Sequence, residues 1–333
     1  MTRTAWLLAV EAIAIAAVLT LALDLREHGR VAPLGGVNEW GYRGPVARQR
    51  RPYEIRVAIV GGTRAFGWGV PASALPAELG RVTMLTTDRP GGDARPVAVV
   101  NLGRMGAVPD DYPEIIEHFA YLQPDYICVF DDLGVRGGSP TTGTGATSGI
   151  YQLTGYAPAL PLVSREKGMI WRLGDVRLGY AAPGAAGHSS TSLTGRVAGR
   201  TLEAAGQMLA AADQTLSLLV SRHHTPSSLD PAAGAYAGAM IAAIESAHRH
   251  ARGVIVVTSP AETVGQAANL HALHAALDGR IGSAPWLRRV NLGDDDALSS
   301  DAGLRLDGWN YSSAGVAKVA GRIVPALLSL IQS

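Results

Sequence analysis

The stretch "RVAIVGGTRAFGWGV", Arg56 to Val70, decides the fold. Small and β-branched apolar residues, Val57 to Val60, run into a Gly-Gly-Thr turn and then a further Gly-x-Gly. A short, unbroken apolar run bounded by glycines reads as a strand buried on both faces, as parallel sheets require. Ligands of such sheets sit beyond the carboxyl ends of the strands, so whatever follows Gly61 is delivered to the edge where chemistry is done.

Outward from that strand the chain alternates. Strands are expected at 55–61, at about 96–101 ("RPVAVVNLG"), in "PDYICVFDD", in "GVIVVTSP" and in "APWLRRVNL". Between and after them, "PASALPAELGRV", "YPEIIEHFAYLQ", "PAAGAYAGAMIAAIESAHRHA", "ETVGQAANLHALHAAL" and "SSAGVAKVAGRIVPALLSLI" read as helices, with Ile115, Ile116, Phe119 and Leu122 on one face of the second. Alternating Val/Ile-rich strands and helices predict an α/β fold, a parallel sheet with helices on both faces. A long insertion, about 134–229, separates the third and fourth strands. It opens with the Gly/Thr-rich "GGSPTTGTGATSG", continues through "YAPALPLVSREKGMIWRLGDVRLGYAAP", and ends in the helical "GRTLEAAGQMLAAADQTLSLLVSR". Leu160, Leu162, Met169, Ile170 and Trp171 in its middle are apolar surface in search of a cover: the active edge, a partner or a membrane.

The N-terminus is apolar from Ala5 to Leu23 apart from Glu11, a run that spans ~28 Å as a helix and matches a hydrocarbon core. Residues 4–25 are expected to be a transmembrane anchor, 26–50 a polar linker, and 51–333 the globular domain. A cleaved signal peptide is the rival reading, although no clean small-x-small cleavage site follows the run. Glu11 lies about two turns into the bilayer, where a carboxylate is costly unless it is paired or reaches the headgroups. It is the candidate contact with a partner's membrane helix, and the small residues around it, Ala9, Ala12, Ala14 and Ala16, permit close approach.

Composition narrows the function. The 333 residues carry a formal charge of +1, with 17% charged residues and only two lysines, Lys167 and Lys318. No clustered basic face is present to track a phosphate backbone, so no nucleic-acid partner is expected. The single cysteine, Cys128, excludes an intramolecular disulfide and reads as a small buried hydrophobe. "GGTRAFGWG" lacks the Lys-Ser/Thr of a nucleotide loop. His188, His223, His224, His271 and His274 have no carboxylate or cysteine at ligand spacing, so no metal and no cofactor are expected.

Five blocks in order, "VNEWGYRGP", "VAIVGGTRAFGWGV", "VVNLGRMG", "YLQPDYICVFDDL" and "LDGWNYSSAGVAKVAGRI", resemble those of membrane-anchored bacterial SGNH (GDSL-type) hydrolases over roughly residues 37–133 and 231–331, the insertion excluded. The resemblance implies a three-layer α/β/α, flavodoxin-like fold. It also implies placement as a single-pass protein of the inner (cytoplasmic) membrane with the globular part on the periplasmic side. In that family a serine after the first strand attacks an ester carbonyl, a late histidine takes its proton, and an aspartate three residues earlier orients the imidazole. Backbone N–H groups and an Asn side chain hold the oxyanion.

Matched position by position, the serine falls on Thr63 and the aspartate before it on Gly62. The oxyanion glycine falls on Gly106, with Gly103 as the alternative. The Asn falls on Asp131 with Asp132 after it, the orienting aspartate on Asp307, and the histidine on Asn310. Thr63 retains a hydroxyl, but its methyl crowds the approach. A carboxylate at Asp131 offers acceptors where an oxyanion wants a donor. An amide at Asn310 takes no proton at any working pH. The expectation is therefore a site kept in shape and disarmed: a non-catalytic accessory or structural subunit, held to membrane-protein partners and the bilayer through its anchor and insertion. Two alternatives stay open. One is an ester hydrolase or carbohydrate O-acyltransferase that uses Thr63 with a displaced histidine; the other is a binding module for an acyl or glycan ligand.

Overall fold

The computed structural model describes residues 3–31, 36–67, 70, 75–76, 78–81, 96–104, 106–131, 148–174, 192–220, 233–306 and 310–333. Asp132, His188, His223, His224, Asp307 and half of "PASALPAELGRV" lie outside the described residues. The chain divides into two compact units. One comprises residues 1–32, 36–41 and 142–223, and the other residues 33–35, 42–141 and 224–333.

The second unit is built on five parallel strands: β1 (Ile55–Gly61), β2 (Val97–Asn101), β3 (Tyr126–Asp131), β4 (Gly253–Thr258) and β5 (Leu287–Asn291), in the order β2-β1-β3-β4-β5. This is the flavodoxin-like doubly wound order, and its strand order reverses next to β1. The period-2 alternation of each strand sorts its side chains into two cores. Ala58 and Val60, Ile127 and Val129, and Val254 and Val256 enter one; Val57 and Ile59, Cys128 and Phe130, and Ile255 and Val257 enter the other.

Helices of the second unit cover both faces. In chain order the helices of the chain include the N-terminal α1 (Arg3–Val31), the single turn α2 (Thr63–Phe66) and α3 (Tyr112–His118). The inserted segment holds α4 (Gly149–Thr154), α5 (Leu160–Leu173) and α6 (Leu193–Val220). Then come α7 (Ala233–His250), α8 (Val264–Arg280), α9 (Asp296–Ser300) and α10 (Ser313–Ile331). Helices α3, α7 and α8 seal the first core through Ile115, Met240, Ile244 and Leu273, and α10 seals the second through Val316, Val319, Ile323 and Leu327. The expected three-layer α/β/α arrangement is thus present. Cys128 is fully buried, as a packed hydrophobe would be, and burial pushes its thiol up to about 12.

Helix starts follow their sequences. Thr263 and Gln266 form a reciprocal capping box at α8, and the Ser312 hydroxyl accepts the Gly315 N–H at the start of α10.

In the first unit α1 is long and apolar enough to cross a membrane by length and composition, and its spanning window is exposed throughout. Glu11 is on that exposed surface. Helix α10 passes the same length test, but it is a core helix of the second unit. Helix α5 crosses α6 at contact distance because both use glycine there. A Cβ on Gly168 would lie 2.6 Å from the Glu203 amide nitrogen, and one on Gly206 2.7 Å from that of Arg165. The crossing is tied by Arg172 and Glu203, bidentate at 2.9 and 3.0 Å.

Candidate functional site

Strand β1 ends at Gly61, and the chain turns through Gly62 into α2, so Thr63 stands at the carboxyl edge of the sheet. Gly61 cannot carry a side chain: a Cβ would meet Ala65 Cβ at 2.6 Å and the Phe130 carbonyl at 2.7 Å. The turn closes through Phe66 N–H to the Gly62 carbonyl and Gly67 N–H to the Thr63 carbonyl, with Gly67 left-handed at φ +78. Thr63 is buried to within 9% exposure, and its hydroxyl accepts the Gly106 N–H at 3.1 Å. Of the two candidate glycines, it is therefore Gly106 whose N–H reaches Thr63. Gly103 serves packing instead, since a Cβ there would lie 2.5 Å from the Phe66 amide nitrogen.

Asp131 is the last residue of β3, the strand beside β1, in the register that pairs Gly61 with Phe130. Its side chain is fully buried, and its backbone carbonyl accepts the Ser259 hydroxyl at 2.8 Å. Asn310 is also buried, in the segment between β5 and α10. The link between that segment and Thr63 runs through the neighbouring side chains. Arg64 places its guanidinium 5.9 Å from the Tyr311 ring centre and donates to Glu262 at 3.1 Å, while Arg305 donates to the same carboxylate oxygen and bridges Tyr311 through the backbone. The segments carrying Thr63, Gly106, Asp131 and Asn310 thus share the carboxyl edge of the sheet. His271 and His274 lie on α8, the first exposed and the second half-buried. Among the described residues no group of three His, Cys, Asp or Glu is placed to hold a metal ion.

No family model matches the chain, and no curated protein matches it in sequence. Solved structures of similar shape exist. One is a lipolytic protein of the G-D-S-L family from Desulfitobacterium hafniense DCB-2, with 12% identity, a TM-score of 0.40, and coverage of 81% of this chain and 98% of that one. A second is a carbohydrate esterase family 3 protein from Talaromyces cellulolyticus, with 13% identity, a TM-score of 0.39, and coverage of 84% and 98%. A third is an acetyl esterase with an acetate ion, with 14% identity, a TM-score of 0.35, and coverage of 84% and 98%.

Two residues that sequence reading did not single out hold the Thr63 turn. Asn101, at the end of β2, donates to the Ala65 and Phe66 carbonyls at 2.9 and 3.3 Å and accepts the Gly103 N–H at 2.9 Å, so one amide fixes both loops of the site. Arg43, in "VNEWGYRGP", is buried and donates to the Phe66 and Val70 carbonyls, stacking 4.5 Å over the Phe66 ring. Burial lowers its guanidinium to about 10. A Cβ on Gly67 would sit 2.6 Å from its Nη1. Neither residue carries a local sequence signal, because the carbonyls each one holds lie far away along the chain.

Proposed function

We propose that this chain is a membrane-anchored SGNH-fold protein without hydrolase activity, serving as a non-catalytic accessory subunit of a membrane protein complex, with α1 in the inner membrane and the second unit on the periplasmic side. The observation that carries the reading is the residue set at the sheet edge. Asn310 and Asp131 are both buried; in the family match Asn310 falls at the position of the proton acceptor and Asp131 at that of the oxyanion's Asn donor, and neither side chain can do that work. Losing one triad member leaves roughly 10³–10⁴-fold over water only while the oxyanion hole is intact, and Asp131 damages that hole. Partner contact is assigned to Glu11, which lies on the exposed face of α1, and to the inserted helices, which leave Trp171, Leu218 and Leu219 exposed.

The test is turnover of p-nitrophenyl acetate by the full-length protein in detergent, beside Thr63→Ala. Background rates for both are expected; robust turnover abolished by Thr63→Ala would overturn the reading. Glu11→Leu should leave the sheet unit folded while reducing co-purification of a partner from the native membrane.

One observation favours a second reading. The Thr63 hydroxyl and the Gly106 N–H are still 3.1 Å apart at the sheet edge, the placement an ester hydrolase or O-acyltransferase with a displaced base would use. A binding module for an acyl or glycan ligand would keep the same edge without chemistry.

A further inference from the structure

Strand β2 is an edge of the sheet. Its register sends alternate backbone groups outward. Ile55 N–H bonds to the Pro96 carbonyl and Leu102 N–H to the Ile59 carbonyl, so residues 96, 98, 100 and 102 face β1. Val97, Val99 and Asn101 therefore point their backbone N–H and C=O away from the sheet. Asn101 is partly used: its carbonyl accepts the Arg43 N–H at 3.0 Å, the single antiparallel bridge that the segment running alongside makes among the described residues.

That segment then leaves. Gly44 is left-handed at φ +92, and Pro45 has no N–H to continue a ladder. Between the departing residues 44–48 and the outer edge of Val97–Val100 lies a groove of about 510 Å³. Its length along β2 is about five residues, or ~16 Å.

The rim is basic. Glu54, the one acidic residue among the described residues that line the groove, is already held by the Arg56 guanidinium at 2.8 Å and the Arg51 N–H at 3.3 Å. Arg48 and Arg51 are exposed at the rim, and neither forms a salt bridge with another described residue. Backbone donors and acceptors that no described residue meets, beside positive charge that no described residue pairs, define what fits: an extended chain that completes the ladder and carries carboxylates. We propose that this groove docks an extended, acidic segment of a partner protein by strand addition to β2. It is separate from the Thr63 edge and does not depend on whether that edge is catalytic.

The probe is a fluorescein-labelled synthetic peptide of about eight residues alternating valine and glutamate, titrated against the full-length protein in detergent by fluorescence anisotropy. Saturable binding is expected, weakened about tenfold or more when lysine replaces glutamate in the peptide and by the surface pair Arg48→Glu with Arg51→Glu. Val99→Pro removes an outward N–H that β1 does not use, a position where an edge strand tolerates proline, and should weaken binding about as much; Thr63→Ala should not. The proposal is overturned by absent saturable binding, by equal affinity for the lysine peptide, or by binding indifferent to both the arginine pair and Val99→Pro. If Val99→Pro does not fold, the arginine pair and the lysine peptide decide.

Discussion

The Gly106 N–H donates to the Thr63 hydroxyl at 3.1 Å, joining a residue just past β1 to a left-handed glycine in the loop that follows β2. The Thr63 hydroxyl thereby ties the turn after β1 to that loop. Thr63→Val keeps the shape and removes the acceptor. It should cost about 1 kcal/mol in urea unfolding, whereas Thr63→Ser should be close to neutral. Equal stability of Thr63→Val and wild type would show that water replaces the hydroxyl without loss.

Gly315 lies in the first turn of α10, five residues after Asn310, and a Cβ there would run into the Leu304 carbonyl oxygen and lie 3.2 Å from Tyr311 Cβ. The contact is with backbone, so the loop before Asn310 must move to admit a methyl. Gly315→Ala should destabilise by about 2–3 kcal/mol despite its better helix propensity. Gly321, on the same helix, has open space around its Cβ position. Gly321→Ala should gain up to ~1 kcal/mol, and the opposite signs of the two measured by thermal unfolding are the check.

Asp111 sits at the head of α3, where its carboxylate accepts the Val108 N–H at 2.9 Å. Burial, aided by the charges of Glu114 and Asp110, pushes its carboxyl above the usual value despite that hydrogen bond. The folded state therefore holds this proton more tightly than the unfolded state does. The associated stability is full below the unfolded value of 3.8 and is lost as pH rises through the folded value. Asp111→Asn keeps an acceptor for Val108 and removes the charge. It should be slightly more stable than wild type near about pH 7, by about 0.5 kcal/mol, and the gap should close towards about pH 4. Urea midpoints of the pair at both pH values measure this; a gap independent of pH would contradict it.

The sheet was legible because its cause is local: Val57–Val60, Ile127–Val129 and Val254–Val257 are apolar on both faces, and only a doubly covered strand needs that. The edge position of Thr63 and Asp131 followed from the same pattern, since each comes just past, or at, the end of a strand, whereas Asn310, well beyond the end of β5, was matched only through the family resemblance. The holding roles of Arg43 and Asn101 were not legible, because their partners, the Phe66, Val70 and Ala65 carbonyls, are backbone atoms distant in sequence. Helix α5 was hidden for a different reason. Proline and glycine ordinarily signal a break, yet Pro161 occupies the first turn, where no N–H is missed, and Gly168 is the gap that α6 fills. A glycine chosen for a helix crossing looks, in one dimension, like a loop.

Helix α5 also lacks a cap of its own. Ala159 precedes it, and the carboxylate that accepts the Ala159 and Leu160 N–H groups belongs to Asp24, on α1, which also accepts the Tyr156 hydroxyl. One turn further along, the His28 ring faces two carbonyls, Val37 at 2.8 Å through Nδ1 and Ala157 at 2.7 Å through Nε2, with Asp24 3.3 Å away. Neither carbonyl can donate, so both ring nitrogens carry hydrogen, and the imidazolium balances the Asp24 carboxylate. Glu27 adds a pair with Lys167 of α5 at 2.9 Å. The end of the apolar helix is thus fastened to the inserted segment by buried polar contacts rather than by apolar packing alone. Asp24→Ala should leave α5 uncapped and His28 without its counter-charge, at a cost of about 2–4 kcal/mol to this unit. Amide exchange by mass spectrometry should speed up about tenfold or more over the first turns of α5, while β1, β3 and β4 keep their protection. If Asp24→Ala leaves exchange at α5 unchanged, the fastening is not made by this carboxylate. Restoration of the slow exchange by Asp24→Glu but not by Asp24→Asn would show that charge, and not shape, holds the two helices together.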